Sequence, residues 1–242
     1  MLQPEVAPKP VNRPRMLILL LHHVGEPPKG VRQRKLYITA PQLRAHVDWL
    51  KSKGYRFTTL TQALDAGDDR TACITFDDGF VDVISDALPV LSDVPATVFA
   101  VTSQVGQRGI PFDGIPADLA SWDELKALRD RGWEIGSHAH EHVRRPTREN
   151  LEQSQHELEQ HLGARATALA YPYGSHDAQT IADAKAAGFR CAAITKSGLA
   201  DRATPFQLRR VILSGFGVVP GFERLKLMGV HHGVYPLNVR DS

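Results

Sequence analysis

Two short stretches of the chain carry the residue types of metal-assisted hydrolysis. Thr75-Phe76-Asp77-Asp78-Gly79 sets two adjacent carboxylates at the end of the apolar run 72–76. Gly136-Ser137-His138-Ala139-His140-Glu141-His142 sets two imidazoles four residues apart after the run 133–136. One Asp with two His makes a three-ligand set for a divalent ion and leaves a position open for water. The other carboxylate, beside the ion but free of it, is placed to take that water's proton. Each piece alone has a plainer meaning. Asp-Asp-Gly is ordinary turn chemistry, and His138 and His142 suit the polar start of a helix. Both motifs sit at carboxyl ends of strand-like runs, where parallel barrels collect their functional groups. Together they point to a metal-dependent hydrolase.

The elements that must hold these groups alternate regularly. Residues 16–21, 55–58, 72–76, 96–101, 133–136, 167–170, 189–195 and 208–213 read as strands. A helix over 41–53 has Thr39 or Ala40 ahead of Pro41, Leu43, Val47 and Leu50 on one face, and Gly54 at its end. Short helices are predicted from Thr61 and over 81–88. Ser121-Trp122-Asp123-Glu124 is a capping box that opens a helix ending at Gly132. Helices over 147–162 and 178–187 are closed by Gly163 and Gly188. Strands separated by helices imply a parallel sheet with right-handed crossovers. The predicted fold is α/β, a distorted (β/α) barrel of about seven parallel strands in a single domain. An open doubly-wound sheet is the alternative, but no Gly-rich phosphate fingerprint follows the first strand. The Gly- and Pro-rich stretch 102–118 is expected to be a long loop lining the substrate groove.

Composition narrows the class. With 242 residues, 42% hydrophobic and 23% charged, the chain is long enough for one domain with a large core, and disordered or fibrous classes are excluded. A net charge of +2 with scattered signs gives no basic stripe, so nucleic acid is not an expected partner. Arg144, Arg145 and Arg148 cluster after the histidine motif and read as a solvated helix start rather than a phosphate clamp. Cys73 and Cys191 lie in separate apolar runs and read as isolated core thiols. The apolar run 16–21 is too short for a signal segment or membrane span, so a cytoplasmic location is expected. Four prolines among the first fifteen residues make 1–15 a flexible arm and leave 16–242 as the catalytic domain. The oligomeric state is left open.

Thr75–Gly79 and Ser137–His142, followed by Tyr171-Pro172-Tyr173-Gly174, resemble the motif series of the polysaccharide deacetylases, carbohydrate esterase family 4. The motifs run in the family's order, and the resemblance covers most of residues 16–213. It implies a distorted barrel and metal-assisted hydrolysis of acetyl groups on sugars. Carried over by position, Asp77 resembles the general base, and Asp78, His138 and His142 resemble the ligands of one divalent ion. Zn2+ suits that set, and Co2+, Ni2+ or Fe2+ fit the same donors. The resemblance puts the oxyanion beside the metal and a backbone N–H near Tyr173. For the side chains of Tyr171 and Tyr173, a substrate role and plain aromatic packing stand level.

The chain departs from the commonest family pattern twice. Many members carry the acid histidine on their last strand, whereas here Leu20-Leu21-His22-His23-Val24 follows the first. That arrangement resembles the branch containing poly-N-acetylglucosamine deacetylases. It makes His22 the expected general acid, with a pKa suited to donation near neutrality, and His23 is expected to point away. His231 and His232 are the competing pair, read as a surface tail. Many members also place an Arg two residues before the Pro of the third motif, where this chain has Ala170. Arg210, or alternatively Arg209, is expected to supply that cation from another strand. His140 is expected to face solvent or fix its loop. The expected function is removal of an acetyl group from an N-acetylhexosamine in a glycan or glycan precursor. A hydrolase of small cyclic amides or ureides and a non-catalytic carbohydrate-binding module are the alternatives. Intact Asp77, Asp78, His138 and His142 weigh against the latter.

Overall fold

The structure is a computed structural model that describes residues 15–113 and 115–216. The expected arm up to residue 14, and His231 with His232, lie outside the described residues. The first strand is Arg15–Leu21, buried on both faces from Met16 onward, as an interior parallel strand requires. It pairs in parallel with Thr71–Phe76, from Leu17↔Ala72 to Leu21↔Phe76. The sheet continues in parallel through Thr97–Ala100, Glu134–Ser137, Ala168–Ala170 and Cys191–Ala193. On the other side of the first strand, Val211 and Ile212 pair with Leu19 and Leu20. Leu208, just before them, bridges Ala193. The stretch 208–212 therefore touches both ends of the sheet and curls it into a distorted barrel. This is the expected α/β barrel of parallel strands, with Ala200–Asp201 added antiparallel at Arg15 and Met16.

Period-two alternation divides the strand residues between two cores. Leu17, Leu19, Leu21, Ala72, Ile74 and Phe76 face the helices. Met16, Ile18, Cys73, Phe99, Ala170 and Leu208 fill the barrel interior. The same parity puts Thr75 and Asp77 on the inward face with Cys73, and Arg210 on the inward face with Leu208. Cys73 and Cys191 are free and buried, as expected.

The predicted caps are formed. Gln42 N–H donates to Thr39 Oγ1 (3.4 Å) and Gln42 Oε1 accepts the Thr39 N–H (3.0 Å), starting the helix Ala40–Ser52 that buries Leu43, Val47 and Leu50. Ser121 and Glu124 exchange the same two bonds ahead of Trp122–Asp130. The helix expected over 81–88 is present, with a π-helical stretch, Val83–Ala87, running into the short Leu88–Val90, where Pro89 has no N–H to continue a regular ladder. One expectation fails. The expected loop 102–118 contains an antiparallel hairpin, Ile110–Phe112 with Ile115–Ala117. Asp113 Oδ2 accepts the N–H groups of Arg32 (2.8 Å) and Gln33 (2.5 Å), clasping this hairpin to the loop that follows the first strand. Among the described residues no helix is long and apolar enough to cross a membrane.

Candidate active site

Asp77 follows directly on the strand Thr71–Phe76. Its N–H donates to the Leu21 carbonyl at 3.0 Å, so the sheet fixes its backbone while its side chain turns into the barrel. There the fully buried Arg210 meets it bidentately, Nη1 to Oδ1 at 2.6 Å and Nη2 to Oδ2 at 2.7 Å. Arg210 is held in turn by Thr75 Oγ1 (3.2 Å) and the Ile194 carbonyl (3.1 Å). Burial alone would raise the Asp77 carboxyl. The Arg210 charge, and after it His138, outweigh burial and hold the group well below the usual carboxylate range. A carboxylate oxygen has two lone pairs, so this pairing still leaves Asp77 able to accept a proton. Arg209 takes no part, and its side chain lies along Gly198.

The chain then turns sharply. Asp78 (φ 70°) and Gly79 (φ 81°) are both left-handed, the requirement of a type I′ turn. His138 and His142 arrive from the loop after Glu134–Ser137. His138 Nδ1 lies 2.7 Å from the Ala170 carbonyl. A carbonyl can only accept, so Nδ1 carries the hydrogen and Nε2 presents a lone pair. The Nε2 atoms of both histidines lie 3.4 Å from Asp78 Oδ1, and the three donor atoms fall within 4.8 Å of one another. Burial lowers His138 and takes His142 down to about 4, leaving both imidazoles neutral at neutral pH. Burial, and then the Asp77 charge, push the Asp78 carboxyl up to about 8.

Burial thus favours the uncharged form of all three groups, and a cation shared by them would hold Asp78 ionised and take up the Nε2 lone pairs. Ligand atoms on a tetrahedral zinc at ~2.0–2.1 Å stand roughly 3.3–3.4 Å apart, close to the separations here. The donor set fits a divalent metal.

The loop between the ligand candidates is tied down. Ala139 (φ 67°) donates to Ser137 Oγ at 3.0 Å, His140 N–H donates to Asn150 Oδ1 at 3.0 Å, and the His140 ring meets Thr102 Oγ1 at 3.1 Å. His140 fixes the loop. His22 follows the first strand, where the charges of Asp77 and Arg210 act on it. Its expected near-neutral pKa is not found. Burial pulls it down to about 4, Asp77 raises it part-way back, and Arg210 lowers it again. Tyr173 (φ 58°) is 53% exposed and sets its ring 4.4 Å from that of His142. A cavity of about 380 Å³ lies between Asp78, His142, Tyr173, Phe80, Phe112 and Gln33.

A sequence profile described as polysaccharide deacetylase matches residues 65–192, more than half of the chain. The chain belongs to the polysaccharide deacetylase family. It is thus a hydrolase of the carbohydrate-deacetylase class. The chain is 24% identical over 209 residues to a poly-beta-1,6-N-acetyl-D-glucosamine N-deacetylase of Staphylococcus epidermidis, covering 76% of this chain and 71% of that one. Among solved structures it resembles IcaB from Ammonifex degensii, with a TM-score of 0.73, 22% identity, and 84% and 93% of the two chains covered. It also resembles the Streptococcus pyogenes deacetylase PplD in complex with acetate, with a TM-score of 0.74, 19% identity, and 90% and 98% covered. These two likenesses establish the fold.

Within this deacetylase, Tyr171 does not sit where a substrate or oxyanion role would need it. It is fully buried on the helix-facing side, with its ring stacked on His176 at 5.2 Å, so aromatic packing describes it. At Ala170 it is the backbone that meets the site, through its carbonyl on His138. Two of the three clustered arginines are paired, Arg145 with Asp177 (3.3 Å) and Arg148 with Glu152 (2.7 Å). Arg144 lies 4.5 Å over the Tyr173 ring. Sequence reasoning missed Thr75, Phe80 and Phe112. The alternation Cys73, Thr75, Asp77 was the available signal for the first.

Proposed function

We propose that this chain, with residues 16–242 acting as one catalytic unit, hydrolyses the N-acetyl group of an N-acetylhexosamine residue in a glycan with the help of one divalent metal ion. The observation that carries this reading is the convergence of Asp78, His138 and His142 within 4.8 Å next to a second carboxylate, Asp77, that is held off them by Arg210. Asp78, His138 and His142 hold the ion, Zn2+ first among Co2+, Ni2+ and Fe2+. When bound, that ion polarises the acetyl carbonyl and acidifies a water.

Asp77 is ionised at every working pH and accepts the proton of the attacking water. Because Arg210 holds its pKa low, it is a weak base and keeps that proton briefly. His22 starts as a neutral imidazole and takes up the proton that Asp77 releases as negative charge develops on the substrate beside it. It then gives that proton to the departing amine, which cannot leave as an anion. The Tyr173 backbone N–H donates to the developing oxyanion, and the Tyr173 ring walls the cavity that receives the sugar. Arg210 fills the place that Ala170 leaves without a cation, which favours an enzyme over a binding module.

The experiment measures acetate release from β-1,6- and β-1,4-linked N-acetylglucosamine oligomers and from nucleotide- or lipid-linked N-acetylhexosamine, before and after chelation. The reading expects release that stops on chelation and returns with Zn2+ or Co2+. Activity confined to long polymers would decide against a precursor substrate. No release from any of these by metal-loaded protein, with opening of a cyclic ureide, would overturn the reading.

A further inference from the structure

Two histidines are consecutive at the end of the first strand, and consecutive strand residues point opposite ways. His22 continues the inward parity of Met16 and Ile18, on the side of Asp77 and Arg210, whose charges act on it. His23 turns to the other side and is 5% exposed. Its Nδ1 lies 2.6 Å from Asp82 Oδ2. Its ring is stacked between Tyr37 (4.4 Å, 4° between planes) and Phe80 (3.7 Å, 26°), with Phe112 edge-on at 5.3 Å. One edge and both faces of the imidazole are therefore held, leaving it a single orientation.

The origin of these partners gives the arrangement meaning. Phe80 and Asp82 follow Asp77-Asp78-Gly79 on the same segment. Tyr37 pairs with His23 in a short parallel ladder, which Gly25 N–H extends to the Ile38 carbonyl at 2.8 Å. The main ladder between the first strand and Thr71–Phe76 ends with the Asp77 N–H on the Leu21 carbonyl. His22 is the next residue beyond that bond. Past this point the His23–Asp82 contact and the His23 stack on Phe80 tie the two segments together.

A histidine kept only to fill the core would be expected to satisfy both ring nitrogens. Here Nε2 is buried with no hydrogen-bond partner among the described residues, a cost that an apolar ring of similar size would avoid. Buried polar pairs of this kind can fix geometry at the expense of stability.

We infer that His23, paired with Asp82, is a positioning residue that keeps His22 in register with Asp77. This rests on the reading of His22 as the acid, so the test separates the two. His23→Phe keeps a ring between Tyr37 and Phe80 but drops the bond to Asp82, and Asp82→Asn removes the charge. Each is made alone and on His22→Ala, with metal content checked. Turnover is measured on an N-acetylglucosamine oligomer, whose amine must be protonated to leave, and on an aryl acetate, whose leaving group needs no acid.

His22→Ala alone should damage amide turnover and spare the ester; equal damage to both would remove the acid assignment and this proposal with it. Given the expected behaviour of His22→Ala, His23→Phe should lower kcat on the amide about 10-fold, in line with the effect of a small misplacement of a catalytic group. KM and ester turnover should hardly move, and His22→Ala should show no further loss when His23→Phe is added. Asp82→Asn should repeat the pattern at smaller amplitude, and it supplies the readout if His23→Phe does not fold. Equal loss on amide and ester, or a full additional factor on His22→Ala, would make His23 merely structural and overturn the proposal.

Discussion

Replacing Arg210 by methionine takes away the guanidinium that both Asp77 oxygens face and leaves a buried carboxylate uncompensated. Breaking such a pair costs about 3–5 kcal/mol. At about 1.4 kcal/mol per unit, that corresponds to a rise of roughly two to four units in the Asp77 pKa. The wild-type carboxyl sits below its unfolded value because Arg210 outweighs burial. The pair's contribution is therefore complete above about pH 4 and is lost only as pH falls through the folded value. In Arg210→Met burial acts unopposed, so the folded value lies above the unfolded one. The penalty is then full at neutral pH and fades as pH drops toward about 4.

Denaturant unfolding of both proteins at pH 7 and pH 5 should show a difference that shrinks toward acid. The acid limb of kcat/KM should move up, staying below pH 7, and with Asp77 no longer oriented by the guanidinium fork activity at pH 7 should fall by about 100-fold without recovering at higher pH. Arg210→Lys keeps the charge but loses the fork, and should fall between the two. An equal stability difference at both pH values, or an unmoved acid limb, would refute the claim that Arg210 sets the charge of Asp77.

Asp77→Asn should lower turnover by about 10²–10⁴ while keeping its metal, whereas His138→Ala should lose the metal; elemental analysis of both separates base from ligand. Adding metal at about 100 times its Kd should stabilise the protein by about 2.7 kcal/mol, a Tm rise of about 5–10 °C for a chain of this size, abolished in His142→Ala. A Cβ at Gly136 would meet the Phe99 ring at 2.6 Å and the Ala168 carbonyl at 2.9 Å, so Gly136→Ala should cost about 1–3 kcal/mol by denaturant unfolding. Cys73 and Cys191 should resist a thiol reagent in the native protein and give two equivalents on unfolding.

The barrel was legible because its strands are short, continuous apolar runs, and the two site motifs were legible because they stop those runs. Other features depend on parity and pairing that a run of residues does not display. Arg210 rather than Arg209 meets Asp77 because Leu208 bridges Ala193, which turns alternate residues of 208–212 inward. The same rule applied to 168–171 would have turned Tyr171 outward with Leu169, away from the site. The hairpin in 102–118 was hidden by Pro111 and Pro116, although Asp113-Gly114 between Phe112 and Ile115 is a two-residue turn signal. Those prolines are tolerated because the ribbon has only two strands. The lowered pKa of His22 follows from burial, and strand pattern alone does not say how deeply a residue just past a strand end is enclosed.

Anomalous scattering from a crystal of the metal-loaded protein tests the central claim most directly. The account predicts one peak per chain, within ~2.0–2.2 Å of Asp78, His138 and His142, with Asp77 still on Arg210 and not bound to the ion. A peak elsewhere, no peak at a saturating metal concentration, or Asp77 in the coordination shell would contradict it.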